Sequence, residues 1–193
     1  MKWLDRDIPS PVLETERLIL RQARIEDAQA MFDNWASDPE VTRHLTWSYY
    51  TDPAECAEYI SELIEEDAWD WFIEFKETGE PIGSFGIFDL HEPTQSVECG
   101  YVIGRPWWNK GIVTEALEAV MEWLFDYVGV QVVRAKHSVD NPASGRVMVK
   151  CGMQFEGFRR HGGRNGDGTI CDLACYSILA DEWDMLHRER KSR

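Results

Sequence analysis

The most informative segment of the chain spans residues 98–116 and reads ECGYVIGRPWWNKGIVTEA. Its pattern predicts a strand, a short loop and the first turn of a long helix. The free backbone N–H groups and the dipole at such a helix N-terminus form an anion site, and Gly111 would let a phosphate approach the backbone closely. Lys110 adds a positive charge, and Asn109 suits the left-handed conformation of a tight loop. The alternative is an ordinary loop entering a helix, because neither a P-loop nor a dinucleotide-binding glycine pattern is present.

The flanking segments predict one mixed domain. Apolar alternation indicates strands over residues 13–21, 69–76, 82–90, 96–103, 131–139, 155–160 and 170–179. Helical spacing and helix-start signals indicate helices over residues 25–35, from Asp52 onward, and over residues 111–127, 142–151 and 181–193. Short turns between the middle strands indicate an antiparallel meander, so the fold class is α+β (mixed α/β) around one central sheet.

Length and composition restrict the class of protein. The chain has 193 residues, of which 44% are hydrophobic, and this suits a single domain with a sizeable core. We expect a core over about residues 13–183 and a basic, frayed C-terminal tail over 184–193. No stretch approaches the roughly 18 apolar residues of a membrane span, and residues 1–7 contain no apolar run typical of a signal peptide. We therefore expect a cytoplasmic protein.

The charge restricts the partners. The 20 Lys and Arg residues against 35 Asp and Glu residues give a net charge of −15, which disfavours nucleic acid and anionic membranes as partners and favours a cationic amine. Solubility is the alternative explanation of this acidity. The basic residues between Arg134 and Arg164 leave room for one anionic ligand. The five cysteines are scattered, so we expect no metal site.

A second segment, residues 140–157, reads DNPASGRVMVKCGMQFEG. Together with residues 108–116 it resembles the GNAT superfamily of N-acetyltransferases. The opening segment LETERLILR (residues 13–21) and the Glu98-x-Gly100-Tyr101 strand resemble the Rim-type branch, which acetylates the N-termini of ribosomal proteins. The similarity extends from about Leu13 to Trp183. It implies a mostly antiparallel, splayed sheet of about seven strands with helices on both faces, and acetyl-CoA as cofactor.

The resemblance also implies a set of cofactor-binding residues. The pyrophosphate of acetyl-CoA would contact the backbone of Asn109, Lys110, Gly111, Ile112, Val113 and Thr114. The pantetheine would pair with Tyr101, Val102 and Ile103 beside a bulge, and Asn141 would bind the same arm. Arg146 and Lys150 are candidates for the nucleotide phosphates. The chain departs from the family motif at Trp108, where Gln or Arg is usual, and at Val113, where Gly or Ala is usual; Val113 would weaken the affinity for CoA.

Acetyl transfer to an amine requires a base, an oxyanion donor and a proton for the leaving thiolate. The backbone N–H near Val102 is the expected oxyanion donor. Glu98 is the candidate general base, although it could equally be a carboxylate that faces solvent or pairs with a neighbouring strand. Ser144 matches a serine that the Rim-type branch uses to protonate the thiolate, although a helix-cap hydroxyl is an equal alternative.

The acceptor is the least determined feature. Trp47, Tyr49 and Tyr50 lie where the family forms one wall of its acceptor groove, but such a cluster is often core. The leading hypothesis is N-acetylation of a primary amine, either a protein N-terminus or a small cationic amine, in a ternary complex. An amino sugar or an antibiotic amine is the alternative acceptor, and a non-catalytic CoA-binding module is the alternative class. A homodimer is also compatible with the sequence.

Overall fold

The computed structural model describes residues 10–66 and 69–191, with side chains up to His187. The expectations about residues 1–9, including the absence of a signal peptide, and about residues 192 and 193 of the basic tail lie outside the described residues. Within the described ranges, no helix combines the length and the apolar character that crossing a bilayer requires.

The described elements alternate as the sequence predicts. Their bounds are, in chain order, β1 (Leu13–Glu14), β2 (Leu18–Arg21), α1 (Ala28–Met31), α2 (Pro39–Thr42), α3 (Pro53–Glu65), β3 (Asp70–Phe75), β4 (Glu80–His91), β5 (Ser96–Ile103), α4 (Ile112–Trp123), β6 (Val132–Ser138), α5 (Pro142–Lys150), β7 (Gln154–Arg164), β8 (Ile170–Leu179) and α6 (Ala180–Lys191). Three-residue 3-10 turns cover Ile25–Asp27, Glu92–Thr94 and Arg105–Trp107, and π-helical turns continue α1 over Phe32–Ala36 and α4 over Leu124–Val128.

One sheet joins all eight of these strands in the order β1-β2-β3-β4-β5-β6-β8-β7. Neighbouring strands are antiparallel except β5 and β6, which pair in parallel over Ser96–Cys99 and Val132–Ala135. The mixed α/β class and the mostly antiparallel central sheet are therefore confirmed, with eight strands where about seven were expected.

The extra strand comes from a turn inside the segment predicted as one strand over residues 13–21. The Thr15 N–H donates to the Leu18 carbonyl at 3.0 Å, and the Leu18 N–H donates to Thr15 Oγ1 at 3.0 Å. These bonds reverse the chain, so that β1 pairs antiparallel with β2. Apolar alternation does not reveal this turn, because a side-chain hydroxyl closes it.

The two faces of the sheet carry separate apolar clusters. Alternation along β3 directs Trp71 towards the cluster beneath α4 and α5, and Phe72 towards the cluster beneath α1 and α3. The Trp71 and Trp123 rings meet edge to face with centroids 5.4 Å apart, and Trp35 meets Phe72 in the same way at 5.3 Å. The expected helices on both faces are thus confirmed, and they hold the sheet rigidly.

Helix termini follow the local sequence signals closely. At the start of α3, Asp52 Oδ1 accepts from the Ala54 N–H at 2.8 Å, and the Asp52 N–H donates to the Glu55 carboxylate at 3.0 Å. This is the predicted capping box. Gly129 ends the long helical segment in the left-handed conformation, with φ +78°, as predicted.

Candidate active site

The sheet opens between β5 and β6. Their pairing ends at Cys99 and Ala135, whereas β4 stays paired with β5 as far as Ile103 and β8 stays paired with β6 as far as Ser138. The upper halves of β5 and β6 therefore diverge, and the edge of β5 beyond Cys99 faces a gap instead of a neighbouring strand. This geometry matches the splayed sheet that the resemblance implied. The bulge expected beside Tyr101–Ile103 is absent from the described strands, because β4 and β5 pair without a register shift from Glu98 to Ile103 and the one shift between them lies between Phe88 and His91.

The loop after β5 leads to the N-terminus of α4 at this gap. Asn109 and Gly111 both have positive φ, +58° and +75°, in the left-handed conformation expected for Asn109. Trp108 Nε1 donates to the Ile103 carbonyl at 2.9 Å and so fixes the start of the loop. Arg17 fixes its end, since Nη1 donates to the Lys110 carbonyl at 2.9 Å and Nη2 pairs with Glu115 at 2.6 Å.

A cavity of about 330 Å³ extends from this helix terminus into the gap. The predicted cofactor-binding residues that line it are Tyr101, Val102, Ile103, Trp108, Asn109, Gly111, Ile112, Val113, Thr114, Asn141, Ser144, Arg146 and Lys150. Sequence reasoning missed the other lining residues, which are Glu40, Val41, His44, Leu45, Trp107, Ala143 and Val147. Segments far apart in the sequence thus form one concave site.

The end of the cavity near β5 contains a pair of hydroxyl groups. The Tyr101 and Ser144 hydroxyls lie 2.9 Å apart, and the Tyr101 hydroxyl also donates to the Ser144 carbonyl at 3.1 Å. Burial raises the pKa of Tyr101 above its ordinary value, so the phenol stays protonated and can donate. Asn141 caps α5, and its Oδ1 accepts from the Ser144 N–H at 3.4 Å. The proximity of Tyr101 to Ser144 depends on how α5 packs on β6, next to the gap beside β5, and the sequence does not reveal it.

Glu98 lies on β5 below the gap. Its side chain is 12% exposed, and one carboxylate oxygen lies 2.6 Å from Lys136 Nζ. Arg134 stands opposite Glu98 in the parallel pairing. Glu98 and Lys110 are not among the residues that line the cavity. The structure therefore places the candidate base beside the site, in an ion pair.

The predicted aromatic residues of the acceptor wall also lie outside the cavity lining. The rings of Trp47 and Tyr50 pack together with centroids 5.2 Å apart and join the cluster beneath α1 and α3. Tyr49 is 49% exposed. The wall that reaches the cavity is instead the preceding part of the same segment, with Glu40, Val41, His44 and Leu45.

The hairpin between β7 and β8 docks on this segment. The Ser48 hydroxyl donates to the Gly166 carbonyl, and Gly166 lies so close to the Trp47 carbonyl that a side chain would not fit. Asp167 accepts hydrogen bonds from the Thr169 hydroxyl and N–H at 2.6 and 2.9 Å, which order the turn. The hairpin thus contacts the end of the segment whose earlier residues line the cavity.

Comparison with known proteins identifies sequences similar to this chain. The family model described as the acetyltransferase (GNAT) domain matches residues 17–154. The chain is 35% identical over 178 residues to YoaA of Bacillus subtilis strain 168, described as an uncharacterized N-acetyltransferase, and the match covers 88% of this chain and 97% of YoaA. It is 25% identical over 175 residues to the ribosomal protein uS5 alanine N-acetyltransferase of Escherichia coli K12, covering 80% of this chain and 84% of that enzyme.

Solved structures share the fold. A GCN5-related N-acetyltransferase from Brucella melitensis superposes with a TM-score of 0.82 at 20% identity, covering 95% of this chain and 85% of that one. At this identity the superposition establishes the architecture of the sheet and its helices.

Proposed function

Since the chain belongs to the GNAT family of acetyltransferases, we propose that it transfers the acetyl group of acetyl-CoA to a primary amine, either a protein N-terminal α-amine or a small cationic amine. The acyltransferase class and the acetyl-CoA cofactor follow from the family. The acceptor and the residue roles are the proposal. The observation that carries it is the single cavity joining the N-terminus of α4 to the open edge of β5.

The residues around the cavity fit the cofactor. Backbone N–H groups of the first turn of α4 and the side chains of Arg146 and Lys150 present positive charge to its phosphates. Gly111 has no side chain there, and the only neighbour within 4 Å of an added Cβ would be Arg17 Nη2 at 3.6 Å. The open edge of β5 over Tyr101–Ile103 would pair with the pantetheine amides, and Asn141 would bind the same arm. Acetyl-CoA supplies the acetyl group as a thioester.

The reaction places two demands on the chain beside the thioester. Negative charge develops on the thioester oxygen. Val102 pairs with Ser84, and the Gly104 N–H donates to the Ile82 carbonyl, so the Val102 N–H faces β4. The adjacent Tyr101 N–H faces the open edge and is the proposed donor to the oxygen. The leaving thiolate needs a proton, and the Ser144 hydroxyl is the proposed source, with Tyr101 2.9 Å away to replace that proton. The role of Glu98 as general base stays a prediction. To act as the base, Glu98 would have to accept a proton while its carboxylate is paired with Lys136.

A cationic acceptor is supported by two findings. The net charge of −15 attracts cations, and one relative is by name an N-acetyltransferase of an alanine residue in a ribosomal protein. A peptide that begins with alanine is therefore the first acceptor to test, followed by polyamines and by amino sugars.

The test begins with calorimetric titration of acetyl-CoA into the wild type, Gly111→Glu and Gly129→Glu. Gly111 and Gly129 have nearly the same positive φ, +75° and +78°, so both variants carry a similar conformational cost. Only Gly111→Glu places a carboxylate at the proposed phosphate site, and we expect its Kd to rise on the order of tenfold or more. Equal Kd values for both variants would remove the proposed phosphate site.

The second step is acetylation of the three acceptor types, followed by mass spectrometry. Acetylation of the alanine peptide or the polyamine supports the proposal, and acetylation of amino sugars alone replaces the acceptor. Binding of acetyl-CoA without acetylation of any amine would indicate a CoA-binding module that does not catalyse transfer.

A further inference from the structure

Residues 38–48 form a bridge over the gap in the sheet. At one end, Asp38 pairs with Arg105, in the turn that follows β5, at 2.9 Å. At the other end, Ser48 bonds to Gly166 in the hairpin between β7 and β8. Because β5 and β8 flank β6 on opposite sides, the chain between these two anchors crosses above the point where β5 and β6 diverge.

His44 lies within this bridge and lines the cavity together with Val102 and Ser144. Its Nδ1 atom is buried and has no hydrogen-bond partner among the described residues. Buried polar atoms are nearly always paired, because an unpaired one loses its hydration without compensation. Because His44 lines the cavity and no hydrogen bond within the described residues holds its Nδ1 atom, the imidazole is available to a ligand in the cavity.

The charges around His44 suit a cation. Glu40, one helical turn earlier, lines the same cavity. On the hairpin, hydrogen bonds from Thr169 and the nearby positive charge of Arg43 lower the pKa of Asp167. Arg43 is the cationic side chain on the same segment and is exposed, and Tyr101 faces the cavity from β5 as a neutral phenol. The Glu40 carboxylate would attract an ammonium group to the part of the cavity that His44 lines.

We propose that His44 is the group that takes the proton from the acceptor ammonium. The inference rests on the proposed function and concerns the same cavity. The ammonium N–H bond breaks, and its proton passes to an imidazole nitrogen of His44 and then to solvent. The freed lone pair forms the bond to the acetyl carbon while the carbon–sulfur bond breaks. The sulfur gains a proton from Ser144, and the second proton that the nitrogen loses restores the hydroxyl pair.

Two other candidate bases, Glu98 and His137, do not line the cavity. Glu98 is held by Lys136 and does not line the cavity. His137 stacks on Tyr176 with ring centroids 5.6 Å apart and packs against Gly145, and it does not line the cavity either. Among these three side chains, only His44 can approach an amine in the cavity.

The test compares His44→Gln with Glu98→Gln, and uses His91→Gln as a control at an exposed histidine. Each variant is assayed with an alanine-initiated peptide and with the same peptide carrying trifluoroalanine at its first position. Fluorine withdraws electrons, so the second amine is already neutral at pH 7 and does not need His44 to remove the ammonium proton. If the wild type prefers spermidine, spermidine and its analogue fluorinated beside the amine replace the peptides.

We expect His44→Gln to lower kcat/KM for the ordinary acceptor on the order of 100-fold. The value of kcat/KM for the fluorinated acceptor should fall far less, and the Kd for acetyl-CoA should stay unchanged. Equal losses on both acceptors would reduce His44 to a structural role. A selective loss in Glu98→Gln, with His44→Gln active, would return the role to Glu98. A wild type that acetylates no acceptor would refute the proposed function and the role of His44 with it.

Discussion

Asp70→Asn should stabilise the protein, and the gain should grow as the pH rises. Asp70 begins β3 on the face that packs against α3. Its Oδ1 atom is buried without a hydrogen-bond partner, and Oδ2 lies so near Gly86 that a Cβ added there would be 2.7 Å away. Burial alone raises the pKa of Asp70 from 3.8 to about 8. The folded protein therefore holds a neutral carboxylic acid where the unfolded chain has a carboxylate.

The magnitude follows from proton linkage. Below pH 3.8 both states are protonated, so the group has no effect on stability; between pH 3.8 and about 8 only the folded state holds the proton. Raising the pH through this window therefore favours unfolding, by about 1.4 kcal/mol for each pH unit. The gap between the two pKa values sets a ceiling of about 6 kcal/mol above pH 8. From pH 5 to pH 7 the wild type should lose about 3 kcal/mol through this one group.

Urea unfolding at pH 5 and pH 7 measures the effect in the wild type, Asp70→Asn and Asp126→Asn. Asp126 is exposed on the turn after α4 and serves as the control. For each pH, the free energy of unfolding of the wild type is subtracted from that of the variant. The local cost of the new amide is the same at both pH values, so it cancels when the two results are compared. If Asp70→Asn changes the free energy of unfolding by the same amount at pH 5 and pH 7, the reasoning is refuted, because Asp70 would then titrate alike in the folded and unfolded states.

Two further substitutions test how the site is supported. Asp27→Ala removes the carboxylate whose two oxygens accept from the buried Arg21 guanidinium at 2.8 and 2.9 Å, and we expect a loss of about 3–5 kcal/mol in the free energy of unfolding. Asp33→Ala, at an exposed position, is the control, and a loss as small as that of the control would contradict this expectation. Glu115→Gln weakens the partner of Arg17, which holds the Lys110 carbonyl at 2.9 Å. The Kd of this variant for acetyl-CoA, measured by calorimetry, should rise by about threefold to tenfold, since each factor of ten corresponds to about 1.4 kcal/mol. The exposed Glu122→Gln is the control and should leave the Kd unchanged. An unchanged Kd in Glu115→Gln would show that Arg17 does not support the loop.

Local patterns predicted most of the elements. The predicted bounds of β5 and β8 agree with the structure, and the alternation over residues 69–76 agrees with the shared apolar cluster of Trp69, Trp71 and Ile73. These elements obey the period-two pattern because each has one face on an apolar cluster. The exceptions depend on side-chain hydrogen bonds or on pairing with a distant strand. Thr15 breaks the first strand, and pairing with β8 carries β7 on to Arg164, beyond the predicted end at Arg160.

The cofactor side of the site was easier to predict than the acceptor side. Its residues form two continuous motifs, and each motif folds locally into a loop and the start of a helix. The acceptor side comes from segments about 120 residues apart, as the contact between Ser48 and Gly166 illustrates. The sequence predicted Trp47, Tyr49 and Tyr50 as the acceptor wall. The structure instead places His44, three residues before Trp47, in the lining of the cavity.

The sequence by itself determined the type and order of most elements and the family, and it located the proposed phosphate site at the start of α4, because neighbours along the chain set backbone preference, capping and apolar periodicity. Only the tertiary structure decided which polar groups meet. Lys136 pairs with Glu98 because β5 and β6 are neighbouring parallel strands. Tyr101 meets Ser144 because α5 packs on β6, next to the gap beside β5. His44 reaches the cavity in a segment that a distant hairpin holds through Ser48 and Gly166. Such meetings depend on the packing of whole elements, which short-range sequence patterns do not encode.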